Sequence, residues 1–138
     1  MTPDLELQKA VKLALAAASD IAPHITPERI RAGIARPEVM PCIIMSPAEV
    51  EILGRASGAQ AVAEVAMKLH IWTPADQAHI AQAITAAAML ALMDAPRPDG
   101  FAIDDWQRPA MAWVPDPDPA LSCAHAVIAL RAVLRWRP

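Results

Sequence analysis

The sequence predicts an α+β fold, a mainly antiparallel sheet with a long hairpin, covered on one face by two helices. Three observations predict it. Residues 60–73 and 121–136 show period-two alternation, with one wholly apolar face and the charged and histidine side chains confined to the other, the signature of strands with one buried face. Residues 3–19 and 76–93 repeat apolar residues at helical spacing instead. The strand-like runs come in neighbouring pairs and do not alternate singly with helices, which favours antiparallel pairing over a parallel sheet. The 138 residues fit one domain, 1–138.

In the first helix Pro3 suits the opening turn with Thr2 as its cap. Leu7, Val11, Leu15 and Ala18 form the apolar face, and Ser19-Asp20 before Pro23 ends it. Pro23, Pro27 and Pro37 then exclude a long helix, leaving a short strand around Ile30, with Arg29 and Arg31 facing away from it. Pro41 leads an apolar strand, Cys42-Ile43-Ile44-Met45, which Pro47 stops; Val50, Ile52 and Leu53 continue it after a bulge. Gly54-Arg55-Ala56-Ser57-Gly58 reads as a turn or flexible tip, closing a hairpin onto the strand at 60–73.

The second helix takes Thr73 or Asp76 as its cap. Its face is Ile80, Ile84, Ala87, Ala88 and Ala91, widened by Leu90 and Met93; alanines there permit close approach to a sheet. Residues 94–119 hold six prolines and a local excess of acid, with strand fragments at 101–103 and 111–114. Pro115-Asp116-Pro117-Asp118-Pro119 is a stiff, acidic, extended loop. The last strand places Ala124, Ala126, Ile128, Leu130, Ala132, Leu134 and Trp136 on one face. Its end, with Arg131, Arg135 and Arg137, is purely basic.

Composition excludes several functions. The core must be built largely from 31 alanines and a few large side chains. A net charge of −3 is wrong for a general nucleic-acid binder. No window reaches the roughly 20 apolar residues of a membrane span, and the N-terminus does not read as a secretory signal, which points to the cytosol or to assembly from it. Cys42 and Cys123 lie far apart in apolar runs and read as small buried hydrophobes. No two of His24, His70, His79 and His125 share the i, i+2 or i, i+4 spacing of metal ligands, so no metal is expected and each reads as a partly exposed histidine. Asp104 and Asp105, adjacent on a strand, should face opposite ways and not share a site. With no nucleophile elbow, phosphate loop or redox pair, neither catalysis nor a cofactor is expected.

What remains is interface. Trp106 and Trp113 flank the acidic Pro-rich stretch and are candidates to touch a partner, whereas Trp72 and Trp136 read as core. Asp116 and Asp118 are a solvated acidic pair; Arg131 and Arg135 give an opposite edge that would pair with it between copies. The tip residues Gly54, Arg55, Ser57 and Gly58 are the remaining candidate contacts.

Several local patterns resemble the tail-terminator (tail-completion) proteins of long-tailed bacteriophages and phage-like gene transfer agents. They are Leu7-Gln8-Lys9-Ala10-Val11 opening the first helix, Pro41-Cys42-Ile43-Ile44, Leu69-His70-Ile71-Trp72-Thr73 running into an Ala/Ile-rich helix, and the closing Arg/Leu alternation. The likeness covers roughly residues 5–136. Two departures are Cys42, where the family often has an aromatic, and the Pro-Asp-Pro-Asp-Pro loop.

The resemblance implies a structural protein at the head–tail junction of a phage-like particle. It would form a ring, usually a hexamer, on the last tail-tube ring, stop tube growth and join the head-completion (stopper) protein. DNA would pass through without sequence-specific binding, to which mild acidity is suited. The Gly54–Gly58 tip and the Pro115–Pro119 loop would then face ring neighbours or axial partners. Another head–tail connector is the alternative within the class; a small-molecule-binding α+β domain is the alternative outside it.

Overall fold

The computed structural model describes residues 2–34, 36–115 and 123–138. Helix α1 spans Pro3–Ala16, with Pro3 in its first turn and Asp4 and Glu6 at its positive end. Thr2 sits at the cap with extended backbone, but its side chain makes no capping hydrogen bond. The helix stops three residues short of the expected Ser19. A string of turns replaces the last helical turn and carries Ile21 and Ile25 into the core. Leu7, Val11 and Leu15 are fully buried.

The strands are β1 (Ile30–Ala32), β2 (Cys42–Met45), β3 (Glu49–Ala56), β4 (Gln60–Pro74), β5 (Ala102–Trp113) and β6 (Cys123–Trp136); helix α2 (Ala78–Ala91) lies between β4 and β5. They form a six-stranded sheet in the order β1-β2-β4-β6-β5, with β3 also on β4. Every pairing is antiparallel except β1 with β2. The spine is β4 against β6, in register from Ala61–Trp136 to Pro74–Cys123.

As expected from the sequence, β3 prolongs β2 after an interruption. Both use one edge of β4: β2 beside Leu69–Trp72, β3 beside Gln60–Ala66. Ser46 bridges the break. Its N–H donates to the Lys68 carbonyl and its hydroxyl accepts from the Lys68 N–H, both at 2.9 Å.

Period-two burial holds along the spine. Ala63, Val65, Met67, Leu69 and Ile71 of β4, with Ala126, Ile128, Leu130, Ala132 and Leu134 of β6, are buried. All of these except Ala63 join Leu7, Val11 and Leu15 of α1 and Ile84, Ala87 and Ala88 of α2 in one cluster, so both helices lie on the same face.

Four expectations are corrected. The hairpin turn is Ser57–Ala59, not 54–58; Gly54 and Arg55 belong to β3, where a bulge between Ile52 and Gly54 takes up the extra residue. Gly58 and Ala59 have positive φ, +78° and +58°, as a tight reversal demands. The fragments at 101–103 and 111–114 are one continuous strand, β5, which absorbs Pro109 in a bulge between Gln107 and Ala110. Neither Thr73 nor Asp76 caps α2. Thr73 is a buried strand residue whose hydroxyl donates to the carbonyls of Pro74 and Gln77 at 3.3 Å. Leu90 and Met93 point to solvent and do not widen the α2 face, because the helix touches the sheet on one side alone.

Trp106 of β5 packs against the helix-side core, and its indole N–H donates to the Leu92 carbonyl at 2.9 Å, tying β5 to the end of α2. Trp106→Phe keeps most of the packing but leaves that carbonyl without its donor. Urea unfolding is expected to show a loss of about 1 kcal/mol.

Candidate assembly surface

The sheet face opposite the helices is polar over its lower half. Period two, the property that buries one side of β4 and β6, presents Glu64, Lys68, Arg131 and Arg135 on the other. Arg131 Nε lies 3.6 Å from a Glu64 carboxylate oxygen. Arg135 Nε donates to both Asp104 oxygens at 3.0 and 3.2 Å, and its Nη1 donates to Gln60 Oε1 at 2.9 Å. The Asp104 hydrogen bond, and then its charge, hold the Arg135 pKa above its ordinary value. These exposed pairs add little stability. They order a mixed-charge surface on which a groove of about 540 Å³ is lined by Ser46, Glu49, Lys68, Gln107 and Arg131.

Asp104 and Asp105 do not face opposite ways as a regular strand would dictate. The bulge between Ile103 and Asp105 pairs Asp105 with Val133, and Asp104 reaches Arg135 two residues on, so both lie on this outer face.

The upper half of the same face is covered. The chain between β1 and β2 folds over it and buries Pro37, Cys42 and Ile44. Arg36 lies 5.4 Å above the Trp72 ring, and its Nη2 donates to Cys123 Sγ at 2.7 Å. Trp72 stacks on His125 at 3.7 Å, and His125 Nε2 is 2.8 Å from His70 Nδ1. A cleft of about 280 Å³ beside them is lined by Ile34, Arg36, Ser46, His70 and Trp72.

This cluster corrects three readings. His70 and His125 are not separate partly exposed side chains but a hydrogen-bonded pair, and His125 is buried. Trp72 packs on the outer layer, away from the helix-side core. Cys42 is buried, which pushes its thiol pKa up to about 11, whereas Cys123 is half-buried. The signal for the pair was present. Alternation puts His70 and Trp72 on one face of β4 and His125 on one face of β6; only the register, which sets Trp72 opposite His125, joins them.

The pair makes stability depend on pH. Burial, and then Lys68, lower the His70 pKa below its ordinary 6.5, so the unfolded chain takes up a proton more readily than the folded one. The contribution is complete above about pH 6.5 and is lost as pH falls through the folded-state value. The urea midpoint is expected to drop between about pH 7.5 and about pH 5, and the His70→Gln variant is expected to drop less. An equal drop in both proteins would assign the effect elsewhere.

Of the residues singled out for contacts, Gly54, Arg55, Ser57 and Gly58 are exposed at the lower end of β3 and its turn. Trp113 is exposed at the far end of β5, while Trp106 faces the core. Arg131 and Arg135 lie on the outer face, each beside a carboxylate of its own chain. Asp116 and Asp118 lie outside the described residues. The structure thus gathers the turn, Arg131 and Arg135 on one end of the sheet and sets Trp113 apart. Trp136 packs at the edge of the core against Phe101, ring centres 5.2 Å apart. Among the described residues no group of three or more His, Cys, Asp or Glu is placed to hold a metal ion. No helix among them is long and apolar enough to cross a membrane.

A family model, "Tail completion protein gp17", matches residues 9–135. The chain belongs to that family. Its role is therefore that of a tail structural protein in a phage-like particle. Among solved structures, a chain of "Virion of native gene transfer agent (GTA) particle" shares the fold of this tail-completion protein. The TM-score is 0.65 at 20% identity, over 94% of each chain. No curated protein matches it in sequence.

Proposed function

We propose that the protein forms a ring, of six copies, at the head-proximal end of a phage-like tail. The ring caps tail-tube polymerisation and presents a surface to the head-completion protein. The observation that carries this reading is agreement along almost the whole chain: family membership from residue 9 to 135, and a fold shared with a virion chain over 94% of both. The tube grows by adding identical rings through matching faces. A terminator ring needs one face that fits the tube end and another that does not, so its binding removes the growing edge. The protein acts by shape and has no reaction to perform. DNA passes through the ring, and the outer sheet face, where Glu49, Glu64 and Asp105 intersperse with Lys68 and Arg131, offers no basic stripe to hold it.

Electron microscopy of particles made without this gene tests the reading. Unjoined heads beside tails of abnormal, variable length are expected. Normal joined particles would overturn it, and full-length tails that fail to join heads would assign the protein to another head–tail connector.

A further inference from the structure

The two open edges of the sheet match one another. Strand β3 lies on β4 from Gln60 to Ala66, and among the described residues nothing pairs with its other side. At the far side of the sheet, Ala102–Gln107 of β5 pairs with Arg135–Arg131 of β6, and those residues pair with Val62–Ala66 of β4. The outer side of β5 is likewise unpaired among the described residues. Both open edges therefore sit at the same height along the strands.

Their directions also fit. Strand β3 runs against β4, and β5 runs with it, because each of the steps β4–β6 and β6–β5 reverses direction. Rotating one copy about an axis along the strands, with no translation, sets its β3 antiparallel to the β5 of a neighbour. Such a contact joins two different patches and closes a ring. Exposed strand edges are templates for this kind of pairing unless they are shielded. Strand β3 is eight residues long and leaves Val50 43%, Ile52 64% and Leu53 51% exposed.

We infer that β3 of one copy pairs antiparallel with the Ala102–Gln107 half of β5 in the next, making the sheet continuous around the ring. This rests on the ring reading above. At equal height the register sets Ile52 beside Ile103 and Val50 beside Trp106 on the helix side, pairing apolar with apolar. On the outer side it sets Glu49 beside Gln107 and Glu51 beside Asp105. The last is a like-charge pair, and it opposes association in an otherwise matched seam.

Cysteines test the contact without disturbing the core. Glu51 and Asp105 are both exposed. Within one chain they are three strand spacings apart, about 14 Å, and a disulfide needs Cα atoms within roughly 7 Å. A Glu51→Cys/Asp105→Cys chain carrying Cys123→Ser is therefore oxidised in particles purified from producing cells. The expected result is a ladder of covalent multimers ending in one closed species, with each chain carrying only one of the two introduced cysteines, beside the buried Cys42, remaining monomeric. Glu49→Cys/Gln107→Cys, the next outer rung, repeats the test if the first pair is not incorporated. No cross-link from either pair in joined particles would overturn the inference. So would dimers from Glu51→Cys alone, which mean two-fold β3–β3 pairing. Failure of the ring reading itself shows separately, as normal particles without the gene.

Discussion

Leu69→Ala is expected to lower folding stability by about 2–5 kcal/mol. Leu69 has no exposed surface. It lies in β4 between Met45 of β2 and Ile128 of β6, all three buried, on the face beneath both helices. Truncation removes apolar area and leaves a cavity that three paired strands are too constrained to close. Against a typical total of 5–15 kcal/mol that loss is large. Urea unfolding should show a lower midpoint at unchanged slope. A change below about 1 kcal/mol would mean that the helices settle onto the sheet to fill the void.

Ala88→Leu is expected to destabilise by about 1–3 kcal/mol for the opposite reason. Ala88 is completely buried where α2 meets the sheet, and Ala81, two turns earlier on the same helix face, is buried too. Small side chains let the helix lie close to β4 and β6; three added carbons must push it off. Ala83 on the exposed side of the same helix is the control, since Ala83→Leu should change stability by no more than about 0.5 kcal/mol. Equal effects at both positions, measured by thermal melting, would contradict the close packing of α2.

The parts of the fold that the sequence announces are those governed by one local period. The alternation at Ala63, Val65, Met67, Leu69 and Ile71 marks β4, and Leu7, Val11 and Leu15 mark α1. Where two signals compete, the local reading breaks down. Pro109 and two bulges divide β5 into apparent fragments because a proline normally ends a strand, yet at an edge strand a bulge accommodates it. Leu90 and Met93 look like core residues by type, but their direction from the helix axis takes them into solvent. The parallel pairing of β1 with β2 carries no local mark at all.

The candidate surface was legible only in part. Arg131 and Arg135 are visible as a basic edge in the sequence, but Asp104 and Glu64 come from other strands, and only the register shows each arginine beside a carboxylate of its own chain. His70 with His125, and Arg36 over Trp72, need the sheet and the overlying chain to be assembled before they exist as clusters. The matching height of β3 and β5 is a property of the whole sheet. No window of sequence contains it, since residues 49–56 and 102–107 are aligned through two intervening strands.

The most direct test of the tail-completion role is a cryo-electron microscopy reconstruction of the head–tail junction of the intact particle. The expected density is a single ring of this fold between the last tail-tube ring and the head-side protein, with a central opening wide enough for DNA. A junction without this fold, or copies of it placed along the tube or at the tail tip, would contradict that role.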